Sequence, residues 1–178
     1  DAILDAGLVA HVGIVDESGQ PYVLPVGYAR AGDELLLHGS TASRLFRSIG
    51  SGAPVCVTVT LLDGLVVARS TFESSMNYRS VMVLGHGRGL DGPAKMAALE
   101  AISEHLMPGR WQDSRPNTDQ ELKATADVAI TMSESSVKIR TGGPDESAED
   151  RALPYWAGVL PIRHHLGAPV TEPDVPTG

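Results

Sequence analysis

The densest run of chemically capable residues is His38, Gly39, Ser40, Thr41, Ala42, Ser43, Arg44. It stands where the apolar pattern changes from strand to helix. Hydroxyls, free backbone N–H groups, the positive end of a helix dipole and a guanidinium would converge there, and a phosphate monoester is held by such a set. Ser and Thr also cap helices without binding anything, so the run alone leaves capping and phosphate binding both open. A second cluster, Asn77, Tyr78, Arg79 and Ser80, heads the apolar stretch 81–84. Arg79 has two kinds of partner available, an anionic ligand or one of the surplus carboxylates.

Other candidates carry less. The chain has no GxGxxG, P-loop, CxxC or HExxH spacing that would place a nucleotide or a metal. His164 and His165 are adjacent, so in a strand they face opposite ways and serve one metal ion poorly. His86, between Gly85 and Gly87, reads as structural, with haem ligation as the functional alternative. Asp145, Glu146, Glu149 and Asp150 lie in a stretch without apolar neighbours and read as solvated carboxylates. Cys56, the single cysteine, sits in an apolar run and reads as a small buried hydrophobe.

The elements that must position these residues are mostly short strands. Residues 8–15, short and apolar, 21–29, extended in pattern, and 34–38 are separated by short runs of turn residues, which predicts an antiparallel meander. A helix is expected over 41–49, capped by Ser40 or Thr41 and stopped by Gly50 and Gly52. Residues 54–62 and 65–70, rich in Val and Thr on the first side and joined by Asp63 and Gly64, read as a hairpin. The segment 78–89 reads as a strand that glycines allow to bend, and 93–106 as a helix started by Pro93. A short helix over 118–125, strands over 128–132 and 137–140, a surface loop over 142–150 and an apolar run over 156–162 follow. Together they predict a mainly β chain, a closed or nearly closed antiparallel barrel with helices packed outside.

Size and charge narrow the function. A chain of 178 residues suits one domain, taken as residues 1–167 with an extended Pro-rich tail over 168–178. Its net charge of −8 repels a polyanion, which argues against nucleic acid as a partner. No run of apolar residues is long enough for a membrane-spanning helix and no signal peptide is evident, so a cytoplasmic location is expected. The chain starts at Asp1, inside an apparent helix over 2–6, which implies that residues precede it.

In order and spacing, LLHGSTASRLFRSIGSGAPVCVTVT (36–60) and NYRSVMVLGHGR (77–88) resemble the pyridoxamine-phosphate-oxidase-like superfamily, in the branch that includes the nitroimidazole-resistance proteins. PYVLPVGY (21–28), the helix with Lys95 and Leu99, SSVKIRTG (135–142) and LPYWAGVLP (153–161) extend the likeness over nearly the whole chain. The resemblance implies an antiparallel split β-barrel of the FMN-binding type, a homodimer with two cofactor sites at the interface, and a small-molecule substrate. By position, Ser43 and Arg44 would hold the FMN phosphate, assisted by Ser40, and His38 would line the flavin pocket. Pro25 and Val26 would face the isoalloxazine edge; Tyr78, Arg79 and Ser80 would complete the phosphate and ribityl contacts. Lys138, Arg140 and Trp156 would come from the partner subunit. One departure stands out: relatives often carry a lysine after the phosphate-loop arginine, where this chain has Leu45, with Arg47 as the substitute charge. The implied activity is an FMN-dependent oxidoreductase moving hydride or electrons between a nicotinamide or other reductant and a small organic acceptor. A flavin- or haem-binding carrier without turnover and an enzyme using the deazaflavin F420 are the alternatives on the same fold.

Overall fold

Period-two burial organises the start of the chain. In the computed structural model, which describes residues 1–175, α1 (Ala2–Ala6) leads into β1 (Val9–Val15), where Ala10, Val12 and Ile14 are buried and their neighbours are not. Successive strand side chains point to opposite faces, so one apolar row is enough to fix which face turns inward. β1 pairs antiparallel with β2 (Pro21–Ala31), and β2 with β3 (Glu34–Ser40). Asp16 shapes the first turn by accepting the backbone N–H groups of Ser18 and Gln20.

The chain divides into two compact units, residues 1–61 with 78–141, and residues 62–77 with the chain from Gly142 onward. In the first, β6 (Thr125–Arg140) pairs with β3 on one side and β5 (Ser75–Leu90) on the other. β4 (Pro54–Val67) adjoins β5 and pairs with β1, so the order β1-β2-β3-β6-β5-β4 returns to β1 as a ring of six strands. The mainly β, largely antiparallel architecture with outer helices is as the sequence indicated. One apolar cluster unites Val12, Leu35, Leu37, Val57, Val83 and Ile130. On the other face of the same strands, Ala29, Leu36 and Ala129 pack beneath Ala98 and Ile102 of α3 (Gly92–Leu106).

α2 (Arg44–Gly50) buries Leu45, Phe46 and Ile49. Two glycines let it sit close: a Cβ at Gly39 would lie 2.1 Å from the Phe46 ring, and one at Gly87 2.1 Å from Ile49 Cγ2. α4 (Asp119–Ala124) is held by a capping box, in which Thr118 accepts from Glu121 N–H while the Glu121 carboxylate accepts from Thr118 N–H. Among the described residues no helix is long and apolar enough to cross a membrane.

In the second unit, β7 (Gly158–Pro161) pairs antiparallel with Gly64–Val67. α5 (Ala148–Arg151) is capped by Ser147. Arg69 reaches Glu146 twice, through its backbone N–H and through its guanidinium at 2.6 Å.

Several local expectations are corrected. The hairpin at Asp63 and Gly64 does not form; β4 runs straight through both residues. Pairing with β7 overrides the turn signal, and Gly64 is needed for another reason, since a Cβ there would lie 3.0 Å from Leu160 O. The two strands expected over 128–132 and 137–140 are one strand, β6, made continuous across a bulge opposite Leu84 and Gly85. α2 starts three residues later than expected, with Ser43 rather than Ser40 or Thr41 at its N-cap and no side-chain cap bond. Glu146 is not solvated: it is buried against Arg69. Cys56 is a free thiol, half-buried rather than fully so. Residues 168–175 form neither helix nor strand, and residues 176–178 of the expected tail lie outside the described residues.

Candidate functional site

Arg44 and Arg47 are three residues apart on α2, which places them on the same side of the helix. With Asp16, Ser18, Ser48 and Ser51 they line a hollow of about 550 Å3. Arg44 lies 4.7 Å over the centre of the Tyr22 ring and donates to Asp16 Oδ2 at 3.1 Å. Its side chain is still 63% exposed, so the guanidinium is positioned without being enclosed. Arg47 donates to the Ala42 carbonyl at 2.7 Å, and Ser40 Oγ accepts the Ala42 N–H at 3.1 Å. These bonds brace the turn that delivers Ser43 and Arg44. The Asp16 carboxyl is held below the usual carboxylate range by the Ser18 hydroxyl first, then by Gln20 N–H, with Arg44 a smaller contributor. An incoming anion therefore meets two guanidiniums and three hydroxyls, against the carboxylates of Asp16 and Glu17, with Asp16 competing for Arg44.

Leu45 is fully buried in the core. Its position points inward, where a lysine would have to bury its charge, whereas Arg47 shares the hollow with Arg44.

His38 does not join this hollow. It lines a separate one of about 210 Å3 with Leu99, Ser103, Trp111 and Asn117. Pro25 and Val26 pair with His11 and Ala10 of β1, and Val26 packs against the core. Tyr78, Ser80, Lys138 and Arg140 do share one face, as Tyr78 pairs with Arg140 and Ser80 with Lys138, whereas Arg79, opposite Ile139, is on the other face of the strand. Lys138 Nζ stands 6.0 Å from the Tyr78 ring centre, and Ser80 Oγ lies 2.9 Å from Thr60 Oγ1. This group is at the far end of β6 from His38, which pairs with Asp127. Arg140 is thirteen residue steps along the strand from Asp127, a contour of roughly 40 Å. Trp156, in the second unit, is 62% exposed, and its ring lies against Gly158.

Sequence reasoning did not single out Lys95 and Asp127. They lie 32 positions apart, and only the packing of α3 beside β6 brings Lys95 Nζ to 3.2 Å from Asp127 Oδ2. Lys95 also donates to the Thr125 carbonyl. The Asp127 side chain is wholly buried, and neither of its oxygens accepts a well-formed hydrogen bond. Burial pushes its carboxyl above the usual range, with Lys95 and then His38 pulling the other way. The one legible signal was an acid directly before the apolar run Val128, Ala129, Ile130.

Comparison with known proteins gives this geometry a family. The chain is 43% identical to the FAD- and haem-binding protein from Mycobacterium smegmatis, with a TM-score of 0.94 over 99% of this chain and 86% of that one. To the flavocytochrome Anf3 from Azotobacter vinelandii it is also 43% identical, with a TM-score of 0.89 over 99% of this chain and 84% of that one. A protein from Bacteroides thetaiotaomicron named for 5-nitroimidazole antibiotic resistance shares the fold at 23% identity, with a TM-score of 0.63 over 76% of this chain and 79% of that one. No curated protein sequence matches the chain. The family model described as pyridoxamine 5'-phosphate oxidase matches residues 1–139, and on that match, joined to the two 43% identities, the chain belongs to the pyridoxamine 5'-phosphate oxidase family.

Proposed function

We propose that this protein is a flavin-binding redox protein, an oxidoreductase that passes electrons or hydride between a reductant, such as a nicotinamide nucleotide, and a small organic acceptor. The observation that carries the reading is the 43% identity, over 99% of the chain, to two structures whose names specify FAD with haem and a flavocytochrome. Those names favour FAD over the FMN that the motif resemblance implied. The donor set suits either nucleotide: Arg44, Arg47, Ser48 and Ser51 supply cations and hydroxyls for phosphate in one hollow. A bound flavin supplies the redox step; the residues here bind and orient it. Arg44 and Arg47 hold phosphate, while Asp16 and the Tyr22 ring keep Arg44 at the mouth of the hollow until the ligand arrives.

A homodimer belongs to the same proposal. The Tyr78, Lys138 and Arg140 group lies at the far end of β6 from Thr125, which pairs with Ser40 where the chain leads into α2, so a second copy is the simplest means of setting that group and Arg44 beside one ligand. Val23, Leu24, Val137 and Ile139, each exposed, supply apolar surface for that contact.

A haem beside the flavin is favoured by the same two names. The histidines fit in part: His105 Nε2 is engaged by the Gly7 carbonyl at 2.7 Å, whereas His38 lines a hollow of its own. Release of the cofactor from purified protein, followed by chromatography, distinguishes FAD, FMN and F420, and a Soret band reports haem. Protein that is colourless and takes up neither FAD nor FMN overturns the proposal. Anaerobic NADH or NADPH then tests turnover, since a flavin that no reductant bleaches turns the reading to a carrier.

A further inference from the structure

The buried pair Lys95 and Asp127 lies on the wall of a cavity of about 630 Å3, separate from the Arg44 hollow. Such a volume accommodates a small organic ligand. Its remaining surface is mainly apolar, built from Phe46, Leu90, Met96, Leu122 and Val128. Space is kept open by glycine. At Gly89 a Cβ would come near only one atom, Gly50 O at 3.9 Å, and at Gly50 the nearest atom would be Val128 Cγ1 at 3.8 Å.

What the pair lacks defines the ligand. An ammonium has three N–H donors, and Lys95 directs one to the Thr125 carbonyl and one toward Asp127. One donor remains for an acceptor in the cavity. Asp127 Oδ2 has only the contact with Lys95, and Oδ1 accepts no hydrogen bond, in a side chain wholly removed from solvent. A buried carboxylate left in that state is costly, and a donor that reaches it recovers the cost. The two needs lie about one hydrogen bond apart, which is the spacing of C=O and N–H on an amide edge. Asp91, Asp119 and Lys123 also line the cavity, one cation against two acids, and the mainly apolar remainder favours a flat body without negative charge behind that edge.

We propose that this cavity binds a small aromatic carboxamide or cyclic amide, its carbonyl accepting from Lys95 and its N–H donating to Asp127. Lys95 is carried on a flexible four-carbon stem and yields to admit the N–H beside it. Phe46 and the glycine-lined side receive the ring. The site does not depend on the flavin reading, because none of its residues lines the Arg44 hollow.

The test uses the whole chain with whatever cofactor it retains, and three probes of one shape: benzamide, acetophenone and benzoate. Ligand-observed NMR titration should show saturable binding of benzamide. Acetophenone keeps the carbonyl but has no N–H, and should bind about tenfold more weakly or worse. Benzoate brings a second carboxylate toward Asp127 and should also bind more weakly. Gly89→Val fills the open side without touching the pair, and should abolish benzamide binding while leaving the melting temperature and the flavin spectrum unchanged. Met96→Trp, on the outer wall, is the second blocking variant should Gly89→Val fold poorly. No benzamide binding, equal binding of benzamide and acetophenone, or undiminished binding in a folded blocking variant would each overturn the proposal.

Discussion

Gly87→Ala should loosen the helix that carries both arginines of the candidate site. The new Cβ would lie 2.1 Å from Ile49 Cγ2, 2.8 Å from Ile49 O and 3.2 Å from Ile49 C. A rotamer change cannot relieve this clash, because two of the three atoms are backbone of the last turn of α2. Carbon atoms at rest sit about 3.5–4 Å apart, so α2 must retreat by roughly 1 Å or more. That retreat pulls Leu45 and Ile49, both essentially without solvent exposure, from their neighbours. Overpacking of this kind costs about 1–3 kcal/mol, and the shared movement of two core side chains places the expected value near the top of that range. For a chain of this size, about 3 kcal/mol lowers the melting temperature by roughly 6–12 °C. Flavin affinity should fall in the same variant, since Arg44 and Arg47 move with the helix. Gly89→Ala is the control, in the same strand two residues on, where the added Cβ would meet only Gly50 O at 3.9 Å. Thermal unfolding followed by circular dichroism reads both. A Gly87→Ala melt within about 1 °C of the parent, or an equal loss in Gly89→Ala, would refute the claim that Gly87 sets the distance of α2.

Arg44→Ala should weaken flavin binding by about 1.5–3 kcal/mol through loss of a charged hydrogen bond, with little change in stability because its pair with Asp16 is exposed; fluorescence titration with flavin checks it, and unchanged affinity places the phosphate elsewhere. Arg69→Met should cost about 3 kcal/mol in denaturant unfolding, because it strands the Glu146 carboxylate, 3% exposed, without its cationic partner. A loss no larger than that of an exposed ion pair would mean that Glu146 is not committed to Arg69. Glu121→Gln should flatten the acid limb of stability. The Glu121 carboxyl is held down at about 2 by Arg115 first and by Thr118 next, so its contribution is complete above its ordinary value of 4.5 and is lost as pH falls from there toward 2. Parent and variant melts should converge across that window, and curves that stay parallel would remove Glu121 from the account.

Elements with their own periodicity were legible in the sequence. The three leading strands, α3 with its proline near the start, and α4 behind Thr118 all follow from residues within one turn or one hairpin of each other. What failed was whatever depended on a distant partner. Asp63 and Gly64 have the composition of a two-residue turn, but residues 158–161 compete for the same backbone and keep β4 extended. Glu146 looks like any acid in a polar loop until Arg69, 77 positions earlier, is brought to it. The Arg44 run was readable because strand end, turn and helix start are contiguous there. His38 belongs to that run in sequence, yet strand alternation sends its side chain to another hollow. Lys95 and Asp127 had no local signature beyond an acid at the head of an apolar run, and only their meeting is unusual.

The ring closes through only three residue pairs, His11 to Gly13 against Cys56 to Thr58, while β5 and β6 are joined through thirteen. A closed sheet is as durable as its shortest seam, because one opened joint turns a ring into a strip with two bare edges. Native-state hydrogen exchange should therefore find the amides of this seam among the first of the ring to trade, well ahead of those between β5 and β6. In refolding the same seam joins segments over forty positions apart and has few bonds to hold it, so its closure belongs late on the pathway. The exposed backbone of an unlatched β1 or β4 would be the place where a second chain, at high concentration, takes the wrong partner.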